Sequence, residues 1–202
     1  MRAVSRQSGR QPSCLPRVGL GHYRTMSEPV ADRPDLLSGG FVLTRRADAP
    51  VRVVAGGNHV TSLLMNDATD GVLDAIKVRA DPGGGPPPHR HSFSEWFFVQ
   101  EGTLQITGSK DDRMEVVATL HSGDSLWVPP GVWHGTANDS DAPAEFLVVG
   151  VPGVMTGYFA QAGVVVPDDV TPPATPPPGP AELADLAARF DITFFAASEQ
   201  DG

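Results

Sequence analysis

The sequence predicts an all-β fold, a small sandwich or barrel, followed by a proline-rich linker and one C-terminal helix. Three observations carry this reading. Short runs of β-branched and aromatic residues recur, Gly, Asp, Asn or Pro turn signals separate them about every ten residues, and a helical apolar pattern occurs once, near the end.

The entry strands fall within residues 39–57, where Phe41-Val42-Leu43 and Val51-Arg52-Val53-Val54 stand between glycine pairs. Further strands are expected at Val60–Met65, Leu73–Arg79, Ser94–Val99, Thr103–Thr107, Met114–Leu120, Ser125–Val128 and Glu145–Val151. Gly108–Asp112 reads as a turn joining the runs around residues 105 and 116. Pro129-Pro130-Gly131 reads as a tight reversal, because proline ends ladder pairing and glycine accepts the turn conformation.

The domain boundaries follow from composition. Residues 1–38 are expected to be a disordered or loosely ordered extension, 39–166 the barrel, 167–180 the linker with seven prolines, and 181–202 a helix and tail. In that last segment Leu183, Leu186, Ala187 and Phe190 repeat at helical spacing, after Pro180 at a position suited to a first turn. The stripe must dock, either on its own barrel or on a second subunit. Ile192–Phe195 is a short apolar run suited to an edge strand.

Charge narrows the function classes. Residues 1–25 hold five arginines and no acid, which leaves ten basic against 24 acidic residues in the remainder. A body of net charge −14 repels a phosphate backbone, so no nucleic-acid partner is expected. No run approaches the roughly 20 apolar residues of a membrane span, and residues 1–25 lack a signal-peptide core. A cytoplasmic location is expected, with Met1 and Met26 both available as starts. Cys14 is the only cysteine, which excludes an intrachain disulfide.

The chemistry concentrates in two segments. Gly83-Gly84-Gly85-Pro86-Pro87-Pro88-His89-Arg90-His91-Ser92-Phe93-Ser94-Glu95 leads into the aromatic run Trp96-Phe97-Phe98 and ends at Gly102. Gly123-Asp124-Ser125 opens the second, which continues through Pro129-Pro130-Gly131 to His134 and Asn138. On an extended strand, residues two apart project to one face about 7 Å apart, so His89 and His91 suit one ion. Glu95 keeps that parity if the chain stays extended. Three imidazoles and a carboxylate make a metal site of His89, His91, Glu95 and His134, suited to one divalent transition ion (Fe, Mn, Ni, Co, Cu or Zn) rather than to calcium or magnesium. On the same parity Phe97 and Val99 point inward as pocket residues, while Trp96 and Phe98 face outward toward a second sheet or a partner subunit. The triple glycine is expected to be a flexible approach to His89, and His22, His59 and His121 to be surface or turn residues.

At every fixed position these segments resemble the two motifs of the cupin superfamily, over about residues 40–165. The resemblance is to single-domain cupins and implies a double-stranded β-helix, or jelly-roll, barrel with a metal inside. The Pro-Pro-Pro-His-Arg-His lead, the aromatic strand, the linker and the tail helix look like bacterial proteins described as quercetin-dioxygenase-like. Characterised quercetinases tend to have four residues between the second histidine and the glutamate, where this chain has Ser92, Phe93 and Ser94.

The resemblance implies a metal-dependent oxygenase acting on a small aromatic or enolisable substrate, with dioxygen as co-substrate and Glu95 as a ligand able to detach and act as base. Two other classes use the same barrel: a cyclase or isomerase with the metal as Lewis acid, and a non-catalytic small-ligand binder. A homodimer is expected through the face that carries Trp96 and Phe98.

Overall fold

Two antiparallel sheets enclose a common core, and the chain passes back and forth between them. The computed structural model describes residues 35–110 and 113–195. Residues 1–34, with Cys14, His22, Met26 and most of the expected N-terminal extension, lie outside the described residues.

In chain order the strands are β1 (Asp35–Leu36), β2 (Val42–Leu43), β3 (Val51–Val53), β4 (Asn58–Leu64), β5 (Asp74–Ala80), β6 (His89–His91) and β7 (Ser94–Glu101). Then come β8 (Thr103–Lys110), β9 (Arg113–His121), β10 (Ser125–Val128), β11 (His134–Ala137), β12 (Ala144–Val151), β13 (Val164–Val166) and β14 (Ile192–Phe194). Helix α1 spans Met155–Ala162 and α2 spans Pro180–Ala188. One sheet has seven strands in the order β10-β7-β12-β5-β4-β3-β13, and the other has five in the order β14-β6-β11-β8-β9. β1 and β2 pair separately.

Alternation sets the inner faces. Along β5 and β12 every second residue is buried, which puts Ile76, Val78, Phe146 and Val148 into the core. The five-stranded sheet contributes Leu104, Ile106 and Leu120 to the same cluster. The fold is all-β, as the strand rhythm predicts, and the jelly roll that the resemblance implies, with α2 appended.

Several details differ from expectation. Gly108, Ser109 and Lys110 belong to β8 rather than to a turn, and positions 111 and 112 lie outside the described residues. The triple glycine is pinned, not loose: Gly83 N–H donates to Asn138 O at 2.8 Å, Asn138 N–H to Gly84 O at 2.9 Å, and Gly85 N–H to Gly56 O at 3.2 Å. A Cβ at Gly85 would collide with the Thr136 carbonyl oxygen, so only glycine lets this segment lie against β11. His59 is not at the surface. It is buried in β4, and its Nε2 donates to the Thr171 carbonyl at 3.2 Å, fastening the proline-rich segment to the barrel. Asp169 adds ion pairs to Arg46 at 3.3 Å and Lys77 at 3.9 Å.

The C-terminal helix docks on its own chain. Leu183 and Leu186 pack with Ala162 of α1, and Phe190 follows in a turn, past the helix end at Ala188 rather than within it. Glu182 accepts the Gly179 N–H at 3.2 Å and so caps the helix start. No described helix is long and apolar enough to cross a membrane.

Helix α1 was not expected, and its cap explains why. Thr156 donates through N–H and Oγ1 to Asp74 Oδ2 at 2.7 and 3.1 Å, so the capping carboxyl comes from β5, far away in sequence. Burial pushes Asp74 up to about 6, against the pull of the Thr156 hydrogen bonds and with a smaller push from the Glu95 charge. The folded protein therefore holds this proton more tightly than the unfolded chain does. The stabilisation is complete below about pH 4 and is lost as pH rises through about 6, by roughly 3 kcal/mol. Urea titrations between pH 4 and 7 are expected to show this fall in the native chain and a flatter profile in Asp74→Asn; identical profiles would remove Asp74 as the cause.

Candidate metal centre

His89, His91, Glu95 and His134 each present one ligand atom, and the four atoms lie within 4.8 Å of one another. They come from both sheets. His89 and His91 stand on β6 of the five-stranded sheet, the chain bends at Ser92–Phe93, and Glu95 stands on β7 of the seven-stranded sheet. The second motif crosses the other way, from β10 through Pro129-Pro130-Gly131 to β11. There His134 pairs directly with His89, and Gly131 N–H donates to His91 O at 2.7 Å. The even spacing from His91 to Glu95 is thus not one extended strand. A bend, not parity, brings the carboxylate to the imidazoles.

Each ring is oriented by a backbone carbonyl. His89 Nδ1 meets Pro87 O at 2.9 Å, His91 Nδ1 meets Phe93 O at 2.7 Å, and His134 Nδ1 meets Val132 O at 2.9 Å. A carbonyl only accepts, so every Nδ1 carries the proton and each neutral ring turns an Nε2 lone pair inward. Phe93 does more for His91. Its ring stacks on the imidazole at 3.7 Å and 3°, fixing the plane as well as the tautomer.

Inside this shell the acceptors face one another. His134 Nε2 lies 3.0 Å and His91 Nε2 3.3 Å from Glu95 Oε2, and His91 Nε2 is buried without a hydrogen-bond partner. Lone pairs at that separation repel unless a proton or a cation lies between them. Without a metal the arrangement shifts protons accordingly. Burial alone would raise the Glu95 carboxyl, but the hydrogen bond from His134 and the close His91 ring hold it well below the usual carboxylate range. Burial also opposes charge on His134, yet its hydrogen bond to Glu95 leaves it raised. His89 is pushed down to about 4, first by burial and then by the charge on His134. The donor set fits a transition ion: three nitrogens and an oxygen, with each ring already held in place through its Nδ1.

The four residues open onto a cavity of about 410 Å³, within the usual range for small-molecule sites. Phe97 lines it. Val99 points the same way but is fully buried in the core, and its backbone is tied to Gly123 and Asp124. Trp96 and Phe98 face outward and stack at 5.8 Å; Trp96 pairs across the ladder with Trp127, which is half exposed. Arg90 also points outward, over the Trp133 ring at 4.6 Å. His121 is exposed and stands apart from the site. Tyr158 and Phe159 of α1, and Leu183, Ile192 and Phe194 of the C-terminal segment, are lining residues that the sequence reading did not single out.

A sequence profile of the cupin domain matches residues 76–150, which include all four clustered residues. The chain carries a cupin domain. Among curated relatives, gentisate 1,2 dioxygenase 1 of Aquipseudomonas alcaligenes is 40% identical over 66 residues, 33% of this chain and 18% of that protein. Germin-like protein subfamily 2 member 1 of Arabidopsis thaliana is 33% identical over 96 residues, 47% of this chain and 42% of that protein. This cupin therefore spans less than half the length of either relative. A solved RmlC-like cupin from Shewanella frigidimarina is 25% identical, with a TM-score of 0.45 over 54% of this chain and 88% of that one. The match to the cupin domain ends at Gly150, so α1, the linker, α2 and β14 lie outside it.

A metal ion entering this site would compete with the proton that the His134–Glu95 hydrogen bond favours. Calorimetric titration with Co(II) in buffers of different ionisation enthalpy is expected to show proton release at neutral pH, with affinity falling as pH is lowered. A buffer-independent heat would show that His134 is already neutral.

Proposed function

We propose that this cupin is a metal-dependent oxygenase, quercetin-dioxygenase-like in its general chemistry, that acts on a small aromatic or enolisable substrate. The observation that carries the reading is the set of three inward Nε2 atoms and one carboxylate at the wall of an apolar cavity. In this reading His89, His91 and His134 hold one divalent transition ion and Glu95 is the fourth ligand. The 66-residue likeness to gentisate 1,2 dioxygenase 1 supports the oxygenase class over ligand storage.

The ion would supply Lewis acidity toward a hydroxyl or carbonyl oxygen of the substrate. Glu95 takes the hydroxyl proton on Oε2, the oxygen already within reach of two imidazoles. The three imidazoles are not available for that proton, because each Nδ1 already faces a backbone carbonyl and each Nε2 would face the ion, so Glu95 would detach to accept it. Phe97 and the aliphatic walls exclude water from the reacting carbon, and the stacked Phe93 keeps His91 from turning away.

Glu95→Gln is expected to retain metal, measured by elemental analysis after anaerobic loading, while oxygen uptake over a flavonol, catechol and β-diketone panel falls at least 100-fold. His89→Ala is expected to lose the metal itself. Equal loss of metal in both would count against Glu95 as base. Turnover without oxygen uptake would instead favour cyclisation or isomerisation with the metal as Lewis acid.

The outward row of Trp96, Phe98 and Trp127 supports pairing with a second copy of the chain, since exposed aromatics on adjacent strands form an apolar patch. Light scattering is expected to give a dimer for the native chain and a monomer for Trp127→Asp; a native monomer would remove the dimer.

A further inference from the structure

The cavity has one polar corner and otherwise uncharged walls. Apart from the four clustered residues, its polar side chains among the described residues are Asn58, Thr136 and Tyr158, and no described lysine or arginine lines it. An ionised group carried past the metal corner would lose its hydration and meet no counter-ion, a cost that ordinary contacts do not recover. The cavity's roughly 410 Å³ also exceeds the space one ring needs, since an apolar cavity of about 150 Å³ already holds benzene.

The wall beside the ligands comes from outside the cupin-domain match. β14 adds to the edge of β6 with Ile192 opposite His91 and Phe194 opposite His89, and Phe195 N–H donates to Pro88 O at 2.8 Å. Residues two apart share a face, so Ile192 and Phe194 both turn toward the cavity and Thr193 turns away. The Phe194 ring meets His89 edge-on at 6.3 Å. Leu183 of α2 completes this wall.

We propose that the cavity selects a ligand that is uncharged and apolar beyond its metal-directed oxygens, and that Leu183 and Phe194 of the C-terminal segment are specificity-determining residues. The inference rests on the reading of this cavity as the substrate site, but not on the reaction. It predicts that an apolar substituent on a ring gains affinity and a carboxylate at the same position loses it.

The test is calorimetric binding to the Co(II)-loaded full chain under anaerobic conditions, so that no turnover enters. The probes are catechol, 4-tert-butylcatechol and 3,4-dihydroxybenzoate. The expected order is tert-butylcatechol at least tenfold tighter than catechol, and the carboxylate at least tenfold weaker. Leu183→Ala and Phe194→Ala, checked for circular dichroism and cobalt content, should weaken tert-butylcatechol about fivefold or more while catechol changes less than twofold. Phe194→Lys should narrow the gap between the carboxylate and catechol. Carboxylate binding equal to that of tert-butylcatechol would overturn the proposal even if both variants misfold, and so would the absence of binding by all three probes. Preserved selectivity without oxygen uptake in the aerobic assay would instead remove the oxygenase reading and leave the selectivity standing.

Discussion

Everything at the site depends on three hydrogen bonds that point away from it. Pro87, Phe93 and Val132 each offer a carbonyl oxygen to an Nδ1, and each carbonyl lies two residues from the histidine it holds. Local backbone thus decides the tautomer, and the tautomer decides that three lone pairs converge on a carboxylate. Four acceptors buried together are unfavourable on their own. They become favourable once a cation or a proton stands among them, which makes the cluster a receptor for positive charge rather than a chance grouping of polar residues.

The β-sandwich supplies what local geometry cannot. No single strand carries the four residues; each motif begins on one sheet and ends on the other, and the cluster forms where both crossings occur. Glu95 stands opposite Gly150 on β12, and Gly150 stands opposite Asp74 on β5. A Cβ at Gly150 would crowd Asp74 Oδ1 and the Met155 side chain, so a glycine here lets the capping carboxyl and α1 close over the end of the sheet. The capping carboxyl of Asp74, Gly150 and the clustered Glu95 are therefore neighbours in one row across three strands.

This arrangement explains what could be read from the residues and what could not. The strands around Ile76, Phe97 and Val148 announce themselves, because alternation is a local pattern and burial follows it. The ligand residues are legible as well, since short spacing and donor chemistry both lie within one stretch of chain. The parity argument placed Glu95 beside the imidazoles, where it stands, but not by the route expected, because an even spacing is indifferent to whether the chain continues or bends. Helix α1 is illegible for a physical reason: Thr156 and Gly157 are poor helix formers, and the stabilising cap is Asp74, some eighty residues away. His59 misled in the same manner. A lone histidine in a polar context looks exposed until Thr171, far along the chain, covers it.

The division of labour within the cavity follows from the same distinction between local and distant partners. Residues that hold charge come from two motifs within the cupin-domain match and are fixed by their own neighbours in sequence. The apolar wall combines strand residues such as Ile76, Phe97 and Val148 with residues of α1, held by Asp74, and of α2 and β14, which follow the proline-rich segment fastened by His59, Arg46 and Lys77. A change in that wall leaves each carbonyl-to-Nδ1 bond untouched, since none of the three involves the C-terminal segment. On the proposed reading, metal-directed chemistry and ligand choice can therefore vary independently: the first rests on short stretches of backbone, and the second partly on a C-terminal segment that packs from outside the matched domain.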